Sequence, residues 1–304
     1  MTTQFLRKAS LVVGAGSQAV DLSDLHFTFD VQAAVLDTPK TAYVRIYNLS
    51  TQTARLVTKE GTQLVLSAGY EGTFATIFNG QIVQARIGRE NGTDTYLDVT
   101  AAEGDAVYNF ATVSFSVAAG SDVVGRLGQI ATAAGVKLGT VQAPSGGAKL
   151  PRGAVFFGLA RDHFRREAST IGANWCIEDG RVDVIAEAGY KPGDIPVITS
   201  ATGMVGVPEQ TELGISVRCL LNPGLRQNQR VQLDNKSIQQ YQFQTNLHAQ
   251  AQAAFVPSLA ADGIYKVLYV NHHGDTRGQD WYSDFVAYSK LLNESQLPYM
   301  PKLS

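Results

Sequence analysis

Cysteine is scarce: the 304-residue chain has two, Cys176 and Cys219, far apart in sequence. They form no CxxC and no zinc-ligand spacing, and spacing alone argues no disulfide, so free buried thiols in a reducing compartment are expected. No apolar run approaches the roughly 18 residues that span a bilayer, so no membrane anchor is expected. The opening MTTQFLRKASLVVGAG lacks the apolar stretch of a secretory signal. The chain is therefore expected to be made and kept in the cytoplasm unless it leaves inside a larger particle. Basic charge is not in excess either: 25 Lys plus Arg stand against 27 Asp plus Glu, a net charge of -2. A dedicated nucleic-acid binder would carry a basic stripe. The balance stays compatible with a surface that DNA merely passes.

A hydrophobic fraction of 44% is enough to fill real cores in two or three domains. Residues 1–118 read as β-rich. Strand patterns lie at Leu11–Val13, at Phe27–Leu36 with one wet face, at Ala42–Asn48, at Gln63–Tyr70, at Ile77–Ile87 and at Thr95–Ala101. Ser50 caps a short helix through Lys59 with Gly61 past its end. Asn91-Gly92 suits a type I′ hairpin turn, and Asn79-Gly80 is either a turn or lies inside one long strand.

Residues 119–198 read as a small α/β insertion. Ser121 caps a helix to Ala134 with Val123, Val124, Leu127, Ile130 and Ala131 on one face. After the loose APSGGAKLPRG, a second helix is expected from Phe157 to Ile171, burying Leu159, Phe164, Ala168 and Ile171. Asp179-Gly180 then turns a hairpin between residues 174–178 and 181–185.

Residues 199–304 read as β-rich again, with strands at Ile215–Leu221 and Arg230–Leu233 around Asn222-Pro223-Gly224. A Gln/Ala-rich loop over 239–261 and an extended arm after Leu291 complete the region. The central feature is Gly263–Tyr288, two long strands and a tight turn at Gly274, Asp275 and Gly278. On its first strand Ile264, Lys266, Leu268 and Val270 share one side, and Tyr265, Val267, Tyr269 and Asn271 the other. The first and third regions are similar in texture and length, which admits a diverged duplication.

No catalytic, cofactor or metal site is expected. Gly14-Ala15-Gly16-Ser17-Gln18-Ala19 fits G-x-G-x-x-A, with Asp37 where a ribose-binding acid would fall. Yet 17–26 is short for a crossover helix and the next strand alternates, so a Gly-rich β-turn fits better. His272 and His273 precede Asp275, but neighbours on a strand diverge, and a satisfied turn histidine is expected. His26, His163 and His248 show no ligand spacing. Cys176 has no histidine beside it in sequence, though a fold-assembled pair stays open. Asp94 and Asp98 share a strand face with Tyr96, and Glu103 and Asp105 sit at a turn; a glycosidase needs two such carboxylates facing across a cleft. Arg161, Arg165 and Arg166, interleaved with Asp162 and Glu167, read as a solvated helix face, with a phosphate site as the minor alternative.

The runs Tyr43–Ser50, Val65–Tyr70 and Ile77–Ile82 resemble the first barrel of baseplate hub proteins of contractile-tailed bacteriophages. Arg218–Gly224 followed by Arg230–Leu233, and Val270–Trp281, resemble their second barrel. The likeness spans most of the chain in the right order. The resemblance implies a mainly β fold, two tail-tube-like β-barrels flanking an α/β helix-hairpin insertion. It implies a structural, non-enzymatic virion component assembled in the host cytoplasm: a homotrimer whose ring of six barrels joins the tail tube protein to the central spike protein, contacts other baseplate proteins, and lets DNA pass through its lumen unbound. A chain of two similar modules suits a junction between assemblies of unequal symmetry. A competing reading is a carbohydrate-binding distal-tail or adhesin module using exposed aromatics such as Tyr190 or Tyr241. An enzyme, a glycan hydrolase or a dehydrogenase, is the third.

Overall fold

The computed structural model describes residues 4–14, 19–143, 149–211, 213–239 and 259–289. The chain is mainly β. Its first elements are β1 (Arg7–Val13), β2 (Val20–Asp21), β3 (Phe27–Ala34), β4 (Thr41–Tyr47), α1 (Thr51–Val57), β5 (Gln63–Tyr70), β6 (Ala75–Arg89) and β7 (Thr95–Ala102). β3 alternates as expected: Phe27, Phe29, Val31 and Ala33 are buried and their neighbours are not. Ser50 caps α1 by accepting from the Thr53 amide. β6 runs unbroken through Asn79-Gly80, where a Cβ on Gly80 would lie 2.6 Å from the Ala102 carbonyl oxygen. Neither Asn91 nor Gly92 has a positive φ, so the expected type I′ turn is absent. Instead the Asn91 side chain accepts from the Thr93 and Asp94 amides in a wider loop.

Next come β8 (Thr112–Val117), α2 (Val123–Ala133), β9 (Lys137–Val141), β10 (Ala154–Leu159), α3 (Ala160–Ser169), β11 (Ala173–Glu178) and β12 (Arg181–Ala186). Asp122, not Ser121, caps α2 by accepting from the Gly125 amide, and Val124 is 41% exposed rather than on the buried face. Residues 154–159 form a strand paired with β8, so α3 starts three residues later than the pattern implied, and His163 and Glu167 join its buried face. Asp179 (φ 51°) and Gly180 (φ 69°) make the expected two-residue turn. α2, α3, the β8–β10 ribbon and the β9–β12–β11 sheet enclose one core around Leu127, Phe156, Phe164 and Trp175.

The last elements are β13 (Val197–Ile198), β14 (Met204–Thr211), β15 (Gly214–Leu220), β16 (Arg230–Leu233), β17 (Ile264–Asp275) and β18 (Trp281–Ser289). The expected loop at 239–261 and arm after Leu291 lie almost wholly outside the described residues. A one-residue bulge at Leu268 reverses the phase of β17. Tyr265 and Val267 therefore share their buried side with Val270 and His272, not with Tyr269 and Asn271 as strict alternation required.

Among the described residues thirteen strands form one continuous sheet that curls into a half-barrel. Its path holds an eight-strand run, β14-β15-β18-β17-β3-β4-β7-β6, in which a four-strand pattern occurs twice. β14, β15, β16, β17 and β18 repeat β3, β4, β5, β6 and β7 in chain order and in pairing. β6 carries a one-residue bulge at Val83 against β7, as β17 does at Leu268 against β18. The two units join where residues 269–275 of β17 pair antiparallel with β3. The β17–β18 hairpin serves both sides of this joint. Trp281 packs into one core with Phe29, Leu66 and Phe78; Tyr265, Val267, Phe285 and Ala287 fill another with Val217 and Val231.

Candidate interaction surface

Two features of the sheet are built to meet something: its polar face and its outer edges. Each strand of the eight-strand run sends alternate side chains away from the cores. On that face Arg45 of β4 donates through Nε (2.6 Å) and Nη2 (2.9 Å) to the two oxygens of Asp98 on β7, and its guanidinium lies 4.1 Å over Tyr96. In the other unit Arg218 of β15 donates from the same two nitrogens (2.7 Å each) to Asp284 on β18, and lies 5.6 Å over Tyr282. Burial works against the charge of Asp284, but the hydrogen bonds and charges of Arg218 and His273 together outweigh it and hold the carboxyl well below the usual range. At the joint Asn271 donates to Asp30 (3.0 Å), and Gln32 donates to the same carboxylate (2.7 Å). The face is thus rich in charge but largely self-paired.

The three cores meet at a second cluster. The Asp179 amide donates to Glu103 Oε1, while Glu103 Oε2 has no hydrogen-bond partner and lies 3.9 Å from Lys40 Nζ. Arg226 bridges Glu178 and Asp179, and Lys191 pairs with Glu178 and Asp183. Burial pushes the Glu103 carboxyl up to about 7 against the pull of Lys40. The cluster fastens the β11–β12 turn to the end of β7 and to the loop before β16. It is a joint, and on its outer side it borders an open polar cavity lined by Glu178, Asp179, Asp183, Lys191 and Arg226.

The family model for baseplate hub gp41 matches residues 8–239, most of the chain. The chain belongs to the baseplate hub gp41 family. Solved structures agree in fold. The hub chain superposes on the 43 kDa tail protein of prophage MuSo2 from Shewanella oneidensis with a TM-score of 0.62 at 7% identity, covering 93% of this chain and 97% of that one. A tail protein from Neisseria meningitidis MC58 gives 0.59 at 8% identity, with 93% and 97% covered. The E. coli c3393 protein, a type VI secretion component described as similar in structure to the T4 bacteriophage tail proteins gp27 and gp5, gives 0.54 at 11% identity, with 86% and 73% covered. No curated protein sequence matches the hub chain. Its family is one of structural tail proteins, not enzymes, and of virion components. No helix among the described residues is long and apolar enough to cross a membrane.

The candidate residues read from sequence scatter across the hub. The strand before Gly14 pairs antiparallel with both β2 and β5, unlike a dinucleotide-binding βα unit, and Asp37 instead accepts from Arg165 (3.1 Å). His272 and His273 lie within β17, not in the turn, and diverge as expected. His272 is buried between the Ser283 hydroxyl (2.7 Å) and the Leu225 carbonyl (3.2 Å), and burial lowers its pKa to about 3. His273 Nε2 lies 3.3 Å from Asp284 on the polar face. His26 stacks on Tyr47, His163 packs in the third core beside Arg166, and His248 lies outside the described residues. No group of three or more metal-ligating side chains comes together among the described residues.

The carboxylates do not face one another either. Asp94 accepts from Asn48 and Asn91 in a loop, Asp98 is held by Arg45, Glu103 is buried, and Asp105 accepts from Asn109. Arg161, Arg165 and Arg166 turn to three partners, Asn109, Asp37 and His163, so they make no phosphate cluster. Glu167 is not solvated but forms a buried pair with Arg126 (2.8 Å). Cys176 and Cys219 are free and buried. Tyr190 lies 3.8 Å beneath the Arg230 guanidinium, an occupied ring rather than an open sugar platform. Tyr241 lies outside the described residues. Sequence reading missed the Arg–Asp–Tyr pairs, although Tyr96-x-Asp98 and Tyr282-x-Asp284 repeat in plain sight.

Proposed function

We propose that the chain is a structural hub whose three copies close a ring between the tail tube and the central spike. The observation that carries this reading is the tandem four-strand unit within one continuous sheet. Three copies of a two-unit chain present six nearly equal sheet segments to a tube of sixfold symmetry, while the chain itself repeats three times for a threefold spike. The chain divides as 1–118, first tube-like barrel; 119–198, α/β insertion; and 199–304, second barrel, with β8 at the end of the first span packed into the insertion's core. The polar face lines the lumen. Its arginines Arg45 and Arg218 are engaged by Asp98 and Asp284, which leaves DNA phosphates fewer free cations to meet as they pass. The insertion stands outside the ring and faces other baseplate proteins. Assembly takes place in the host cytoplasm, before packaging into the virion.

Electron microscopy of the purified chain mixed with the tube protein of the same tail tests this. Six-lobed, threefold rings with an open centre, stacked on tube ends, are expected. Solid or twofold particles that never cap a tube would overturn it.

A further inference from the structure

The internal joint between the two units supplies a template for the joint between copies. β17 pairs with β3 inside the chain, and by the repeat β6 is the counterpart of β17 and β14 the counterpart of β3. These two counterparts are the ends of the eight-strand run. Beyond residue 82, β6 pairs only with β7 among the described residues, which leaves its other edge open. β14 pairs with β15, and among the described residues its outer edge carries one bridge, in which the Gln239 amide donates to the Pro208 carbonyl and the Gln210 amide to the Gln239 carbonyl.

The side chains at the two edges agree with the template. In the internal joint Asn271 stands opposite Gln32 and donates to Asp30. Asn271 faces Asp284 across β18 as Arg86 faces Asp98 across β7, so Arg86 is its counterpart. By the pairing of β14 with β15, Glu209 is the counterpart of Asp30 and Thr211 that of Gln32. A neutral amide–carboxylate contact inside the chain thus corresponds to an arginine–glutamate pair between chains. Arg86, Arg89 and Glu209 make no ion pair among the described residues. Apolar exposure points the same way: Ile87 is 66% exposed, whereas its counterpart His272, at the internal joint, is 3% exposed. Val207 on β14 is 60% exposed. Bare apolar edge strands are normally covered, because they template further pairing.

We propose that the outer edge of β6 pairs antiparallel with the outer edge of β14 in a second copy, Arg86 opposite Thr211 and reaching Glu209. The pairing exchanges the two Gln239 hydrogen bonds for a β6 ladder and covers Ile87. It rests on the hub ring and names the surface that closes it.

The test combines cross-linking with charge reversal in the full chain. Arg86→Cys with Thr211→Cys should give disulfide-linked dimers and trimers on mild oxidation, since directly opposed strand residues stand about 5 Å apart at Cβ. Either single cysteine should give none. Arg86→Glu or Glu209→Arg should each weaken trimer formation about tenfold or more, and the double swap should restore most of it. Both positions are exposed, so the circular dichroism of each variant should match the parent. A parent chain that forms trimers while the cysteine pair stays unlinked and both reversals assemble normally would overturn this joint and leave the ring reading intact. A parent chain that forms no ring with tube or spike protein would remove both.

Discussion

Asp98 and Asp284 occupy the same place in the two halves of the sheet. Each follows a tyrosine by two residues, and each accepts from Nε and Nη2 of an arginine on the neighbouring strand. The duplication is therefore chemical as well as topological. Both pairs are partly exposed, with side-chain accessibilities of 36% and 40% in one and 52% and 31% in the other. Solvent screens them, so Asp98→Asn or Asp284→Asn should cost about 1 kcal/mol or less in urea unfolding of the monomer. A loss several times larger in either would mean that the pairs hold the fold rather than furnish the polar face.

The hairpin that joins the units is packed too tightly for any side chain at Gly274. A Cβ there would lie 2.6 Å from the Phe29 ring and 2.7 Å from Trp281, which pack edge to face at 5.4 Å. Gly274→Ala should destabilise by about 1–3 kcal/mol, read as a lower urea midpoint with an unchanged slope.

Glu103 should make stability fall as pH rises. Its folded pKa, about 7, stands above the ordinary 4.5 because burial disfavours its charge. The folded state carries no penalty from this group below about pH 4.5. The penalty grows as pH climbs toward 7 and is constant above it. Glu103→Gln should flatten the fall in stability between pH 5 and pH 8 by about 1–3 kcal/mol, an interval set by that shift. An unchanged pH profile would show that the carboxyl is ionised at no cost.

The thiols should be silent in the native state. Burial pushes both Cys176 and Cys219 up to about 12 and leaves them 5% and 1% exposed. A thiol reagent at pH 8 should label neither until denaturant is added, and then label both. Fast labelling of one in the folded chain would contradict its burial.

Legibility in the sequence varies by element. Local chemistry read well where one residue decides the geometry: Ser50 as a cap, Gly61 past a helix, and Asp179-Gly180 with both φ angles positive. It failed where tertiary pairing decides. Phe157 and Leu159 looked like the start of a helix, but β8 recruits 154–159 into a ribbon that leaves Phe157 78% exposed. The Leu268 bulge reversed the expected faces of β17, and no residue type announces a bulge inside a run of β-formers. The family resemblance was readable from strand-and-turn motifs taken together, and the family model matches residues 8–239. The duplication was visible only as similar texture, since its evidence is sheet order and register. The outer edges of β6 and β14 were not readable at all, because an edge is defined by which strand has no neighbour.

The central claim is that one chain supplies two of six ring positions. Native mass spectrometry of the purified chain with its spike protein tests it most directly. The account predicts a species containing three 32.7 kDa chains. A stable dimer of the chain, unchanged when spike or tube protein is added, would contradict it.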